Sequence, residues 1–137
     1  MIDSHAHLYF DRFDEDREEV FARARAAGVD AFVVIGIDRA SSEAAGALAR
    51  ERPDVRATAG IHPCDVKKAE PGDQERIEAL LRSGAYCGVG ETGLDYYWDA
   101  SDADDQKEML HWHLDLALEL DLPAVLHCRD AWPDLLR

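Results

Sequence analysis

Short apolar runs alternate with amphipathic stretches from one end of this chain to the other, and that alternation constrains the fold more tightly than any single residue. Residues 2–8, 31–36, 55–60, 85–91 and 123–127 are runs of strand length, bounded by turn-forming residues. The run Ala31-Phe32-Val33-Val34-Ile35-Gly36 is continuously apolar and rich in β-branched residues, as a strand buried on both faces requires. Between the runs the spacing predicts helices. The first covers 14–27, with Val20, Phe21 and Ala24 on one face and Gly28 as its stop. The second covers 42–50, capped by Ser41 or Ser42 and ended by Pro53. A third is capped by Asp73 and carries Ile77, Leu80 and Leu81 inward, and a fourth runs from about 104 to 120.

Strand-helix alternation of this kind implies an α/β fold with a parallel sheet and right-handed crossovers. An open doubly wound sheet and a closed (β/α)8 TIM-type barrel both satisfy it. No G-x-G-x-x-G follows the first strand, and candidate ligands stand at the ends of strands one, four and five, where a barrel's strand ends converge on one mouth. The barrel is therefore expected. A full one takes about 250 residues, so residues 1–137 read as the N-terminal portion of a single barrel domain, truncated to about five strands and four to five helices. Unpaired outer strand edges are then open to self-association.

Composition narrows the function. Twenty-nine acids against fifteen bases give a net charge of −14, the wrong sign for gripping nucleic acid through a basic surface. If the substrate is a phosphodiester, bound divalent cations must supply the local positive charge. The acidic stretch 99–105 reads as a solvated loop. No apolar run approaches the length of a membrane span, and no basic-then-apolar leader opens the chain, so a cytoplasmic protein without a membrane partner is expected. Cys64, Cys87 and Cys128 are odd in number, far apart and without a C-x-x-C, and read as reduced, buried thiols.

His5 and His7 are two apart on the first strand, so both imidazoles face one side and can reach one ion. Alone, the pair is equally compatible with a structural role. Glu91 closes an otherwise apolar, glycine-bearing strand, where an unpaired acid is costly; a carboxylate bridging two cations answers that cost, and a salt bridge is the plainer alternative. His127 ends the fifth strand and, with the other three donors, reads as a ligand. Arg129 follows on the same face and can contact a substrate phosphate or pair with Asp130. His62 lies in the turn Gly60-Ile61-His62-Pro63 and faces the same mouth, as a substrate contact or as turn packing. Tyr96, Tyr97 and Trp98 stack on a base or pack over the rim. His113 sits in the apolar arc of its helix and reads as core.

The stretches Ile2-Asp3-Ser4-His5-Ala6-His7-Leu8, Gly60-Ile61-His62-Pro63, Gly88-Val89-Gly90-Glu91-Thr92-Gly93-Leu94-Asp95-Tyr96-Tyr97 and Leu122-Pro123-Ala124-Val125-Leu126-His127-Cys128-Arg129-Asp130-Ala131 occur in an order that resembles the TatD family of metal-dependent hydrolases, within the amidohydrolase-like superfamily. The resemblance implies a (β/α)8 barrel that holds two divalent ions (Mg, Mn or Zn) and cleaves DNA phosphodiesters as a DNase or exonuclease. It places His5 and His7 on one ion, Glu91 between both and His127 on the second; His62 and Arg129, read from their own positions, are expected to position the scissile phosphate. The family also uses a later His and a later Asp, so this chain alone is expected to be incomplete as an enzyme. Two other expectations stand beside it: hydrolysis of a C–N or ester bond, such as that of an aminoacyl-tRNA, and a non-catalytic metal-binding fragment that pairs with a complementary chain.

Overall fold

The structure, a computed structural model, describes residues 1–98 and 100–136; Asp99 of the expected acidic loop and Arg137 lie outside the described residues. Five strands, β1 (Ile2–Ala6), β2 (Ala31–Ile35), β3 (Val55–Ala59), β4 (Gly88–Asp95) and β5 (Ala124–Arg129), form one sheet in the order β1-β2-β3-β4-β5. Every neighbouring pair is parallel. The helices α1 (Arg17–Ala26), α2 (Arg39–Glu51), α3 (Asp73–Arg82), α4 (Ala103–Leu120) and the short α5 (Trp132–Leu135) each follow a strand. Right-handed crossovers that always step to the next strand in one direction put every helix on the same side of the sheet. A doubly wound sheet reverses its strand order at a switch point; this one does not, and the barrel alternative holds.

The core lies between sheet and helices. Phe21, Phe32, Val34, Val55, Ile77, Leu81 and Val89 are buried there, with the Phe21 and Phe32 rings meeting edge to face at 5.0 Å. Each such side chain contributes roughly 1.5–3 kcal/mol through its burial.

Helix starts differ from the sequence expectation for local reasons. Helix α2 is capped by Asp38, not by Ser41 or Ser42: the Asp38 carboxylate accepts the Ser41 amide at 2.7 Å and Ser41 Oγ accepts the Asp38 amide at 2.9 Å. This reciprocal pair satisfies two amides that the first turn leaves open. Helix α1 begins at Arg17 because Asp11–Phe13 forms a separate 3-10 turn, and the Arg17 guanidinium donates back to the Leu8, Tyr9 and Phe10 carbonyls. At α3 the cap is Gly72 at φ 95°, and Asp73 is the first helical residue. Strand β4 starts later than expected and continues four residues past Glu91, which carries Asp95 into the sheet.

One helix packing contact is tight enough to test. A methyl group at Gly46 would stand 2.1 Å from the Tyr86 hydroxyl, which donates to the Ser42 carbonyl at 2.9 Å. Gly46→Ala is expected to lower stability by about 1–3 kcal/mol through overpacking. Adding Tyr86→Phe removes the nearest atom, so the double variant should lose less than the sum of the singles in urea unfolding. Strict additivity would show that the helix shifts freely at this contact.

Candidate metal centre

Strands β1, β4 and β5, with His7 just past the end of β1, deliver their side chains to one place. Glu91 sits in the middle of β4 and is 7% exposed. Its carboxylate is divided: Oε2 lies 3.2 Å from His5 Nε2 and 3.9 Å from His7 Nε2, while Oε1 lies 3.4 Å from His127 Nδ1. Two donors each about 2.1 Å from a common ion stand roughly 3.0–3.4 Å apart, so the His5 and His127 separations fit imidazole and carboxylate ligation as they stand, while His7 at 3.9 Å would have to close in by about half an ångström. Two donor groups result, His5–His7–Glu91 and His62–Glu91–His127, and Glu91 belongs to both. The pairing to bases that a plain salt bridge would need comes from imidazoles alone.

Ring tautomers follow from the other nitrogens. His7 Nδ1 stands 3.0 Å from the Ile35 carbonyl and 3.0 Å from the Tyr9 hydroxyl. A carbonyl only accepts, so Nδ1 carries the proton and Nε2 turns its lone pair toward Glu91. Burial holds the His7 pKa below its ordinary value, which keeps the ring neutral as a ligand must be. His127 Nε2 donates to Asp95 Oδ2 at 2.8 Å, which leaves Nδ1 for the centre. Held between two carboxylates, His127 has its pKa raised, chiefly by the hydrogen bond to Glu91.

His62 behaves differently. Its Nδ1 accepts the Cys64 amide at 3.1 Å, so the neutral ring bears its proton on Nε2 and that nitrogen is a donor rather than a ligand. Its ring centroid is 4.3 Å from that of His127, and burial lowers its pKa. Burial pushes the Glu91 carboxyl up, but the His127 hydrogen bond and the nearby imidazoles outweigh it, and the net direction is down.

Arg129 lies at the end of β5 with its guanidinium carbon 3.7 Å from the Tyr97 ring centroid; among the described residues no carboxylate reaches it within ion-pair distance, Asp130 included. His113 is core as expected. The cysteines are free, and burial pushes the Cys64 thiol up to about 11, far from a nucleophile's range.

Asp95 was missed by sequence reasoning. It is 1% exposed, and besides holding His127 it accepts the Tyr97 and Trp98 amides, both at 3.0 Å. Burial raises its pKa, yet the Trp98 amide, the His127 ring and the Tyr97 amide together bring it below the ordinary carboxylate value. The available signal was its period-two spacing from Glu91 and Gly93, had the strand been read past Glu91.

Comparisons with known proteins give the family and the fold. The family described as TatD related DNase matches residues 2–137. The chain is 38% identical over 135 residues to the uncharacterized metal-dependent hydrolase YabD of Bacillus subtilis, covering 98% of this chain and 53% of that protein. It is 37% identical over 131 residues to the 3'-5' ssDNA/RNA exonuclease TatD of Salmonella typhimurium, covering 96% of this chain and 50% of that protein. Among solved structures, YJJV, a TatD homologue from Escherichia coli, superposes with a TM-score of 0.92 at 31% identity over 98% of this chain and 53% of that one. A TatD family hydrolase from Entamoeba histolytica shares the fold, with a TM-score of 0.90 at 23% identity. The chain thus spans about half the length of the relatives it matches. Among the described residues no helix is long and apolar enough to cross a membrane.

Proposed function

The chain belongs to the TatD related DNase family, and from that premise we propose that it serves a divalent-metal-dependent hydrolase that shortens DNA strands by cleaving phosphodiester bonds at a two-ion centre. One observation carries this reading: the carboxylate of Glu91 is split, with one oxygen toward His5 and His7 and the other toward His127.

In this reading His5, His7 and Glu91 hold one ion, and Glu91 and His127 hold the second. Mixed imidazole and carboxylate donors suit Mg²⁺, Mn²⁺ or Zn²⁺. Bound cations supply Lewis-acid polarisation of a phosphate oxygen and a water acidic enough to attack near neutral pH. Glu91 presents two anionic oxygens along the line between the donor groups and so sets their separation. Asp95 and the Ile35 carbonyl fix the rings of His127 and His7 so that each lone pair points inward. His62, a neutral Nε2–H donor, hydrogen-bonds a phosphate oxygen. Arg129 adds a positive charge at the rim of a chain whose net charge is −14.

A 5′-labelled single strand incubated with the protein and Mn²⁺ tests the proposal. Progressive shortening of the labelled strand, stopped by EDTA, is the expected result. Cleavage that survives chelation would overturn it, and preferential release from an aminoacyl ester or amide would move the assignment to that bond.

A second reading, a metal-binding unit completed by a complementary chain or a second copy, is favoured by the sheet itself. Among the described residues β1 and β5 each have one strand neighbour, and Ile2 and Leu126 on these outer strands are exposed. Intact Mn²⁺ binding without strand cleavage, together with a solution mass above the 15.3 kDa of one chain, would support it.

A further inference from the structure

The loop that leaves β4 carries Tyr96, Tyr97 and Trp98, and the last two are 53% and 55% exposed. Large aromatic side chains on a loop forgo the burial that would stabilise them. Tyr96 donates to Asp134 at 2.9 Å and so is tied to the body of the fold. Tyr97 and Trp98 instead meet each other edge to face, ring centroids 4.9 Å apart at 88°. The Arg129 guanidinium sits over Tyr97 at 3.7 Å and lies 5.5 Å from the Trp98 ring. Strand pairing places Arg129 opposite Asp95, so the cation and the aromatic loop are brought together by the β4–β5 register.

This group is also locked to the metal centre. One oxygen of Asp95 accepts from His127, and the other accepts the Tyr97 and Trp98 amides. The Asp95 backbone is itself clamped on both sides by the Gln106 amide at 2.8 and 3.0 Å. A single buried carboxylate thus spaces the aromatic loop from His127. We propose that Tyr97, Trp98 and Arg129 form a stacking platform for an unpaired nucleobase of the strand whose backbone phosphate lies at the metal centre. The proposal deepens the hydrolase reading above and rests on it for the position of the phosphate.

The chemistry suits that occupant. A base offers a flat π face to Trp98 and to the guanidinium plane, and such stacking tolerates any sequence. A chain with a net charge of −14 cannot hold a polyanion by general attraction, so affinity has to come from the ions and from base contacts. A base within a duplex has both faces covered, and the platform therefore selects single strands.

Binding of a fluorescent oligothymidylate with phosphorothioate linkages, compared with an abasic strand of equal length and with a duplex, tests the platform. Trp98→Ala and Tyr97→Ala are each expected to weaken oligothymidylate binding roughly 5- to 100-fold, the span of one stacked base. Binding of the abasic strand and Mn²⁺ titration should not change, and Trp98→Phe should restore most of the affinity. Equal binding of the abasic strand and oligothymidylate by the unaltered protein, or alanine variants with unaltered affinity, would overturn the platform. Failure of the unaltered protein to bind Mn²⁺ would instead remove the hydrolase reading, and the abasic comparison would still decide the stacking question.

Discussion

Replacing Glu91 with alanine is expected to abolish Mn²⁺ binding on both sides of the centre at once, whereas His5→Ala or His127→Ala removes it from one side. The distinction follows from the divided carboxylate: Oε2 serves the His5 and His7 side and Oε1 the His127 side. Loss of a group that only supports a ligand typically costs about 10- to 100-fold in affinity; loss of the shared ligand should exceed that. Titration calorimetry should report two ions for the unaltered chain, near none for Glu91→Ala, and one for either histidine variant. A Glu91→Ala protein that still takes up two ions would show that the carboxylate is a salt-bridge partner and nothing more.

The pH dependence of that binding has a definite sign. His127 has a raised pKa in the protein, with the hydrogen bond to Glu91 as the largest cause. A ligand must shed its proton to bind, so Mn²⁺ affinity should climb as pH rises through that elevated value, with protons released on binding. Without metal the sign for stability is opposite. The protonated ring contributes stability below the unfolded-state value of about 6.5, and that contribution is lost as pH rises through the folded one.

His113 should produce a large and pH-dependent stability effect. It is fully buried; its Nε2 accepts the Ile61 amide at 3.1 Å, and its Nδ1 donates to the Met109 carbonyl at 2.8 Å with Thr92 Oγ1 at 3.1 Å. One neutral ring thereby joins α4 to β4 and to the turn that carries His62. Burial depresses its pKa from 6.5 to about 4. Between those values the unfolded chain binds the proton and the folded chain refuses it, so stability falls as pH drops from about 6.5 toward 4 and is fully present above 6.5. The loss over that window is on the order of 3 kcal/mol, a large part of the 5–15 kcal/mol typical of a domain.

His113→Leu should destabilise the protein at pH 7 by about 2–4 kcal/mol, because it strands the buried Ile61 amide without an acceptor. The same variant should lose the His113 share of the pH dependence between 4 and 6.5, leaving the shares of His7 and His62, whose pKa values burial also lowers. Denaturant unfolding across that range checks both statements, and an undiminished acid slope in the variant would locate the titrating group elsewhere.

How much of this was legible in the residues differs between elements. Strand β2 announced itself, because five consecutive apolar, mostly β-branched residues serve a strand covered on both faces and little else. His5 and His7 were legible as a pair because a period of two puts them on one face. Helix α2 was misjudged at its start, since Asp38, Ser41 and Ser42 are all good caps by type and only the folded backbone, extended at Asp38, selects among them. Arg129 had two readings of equal standing in the sequence; in the fold it lies against the Tyr97 ring and makes no ion pair with Asp130.

The hydrogen bond from His127 to Asp95 and the proton positions on the histidines lay beyond any reading of the sequence. Spacing along a strand reports which face a side chain takes, a local property set by backbone geometry two residues at a time. Which oxygen of Glu91 meets which imidazole, and that Asp95 rather than water holds His127, depend on strands distant in sequence being laid side by side at a given stagger. Gly93 shows how narrow that stagger is: at φ 137° it lets β5 approach so closely that a methyl group there would stand 2.0 Å from the His127 carbonyl. The alternating pattern of residues determined the parallel α/β architecture and which donors face the mouth, because backbone periodicity alone controls both. The distances that make those donors a centre were decided only when the sheet closed up around glycine.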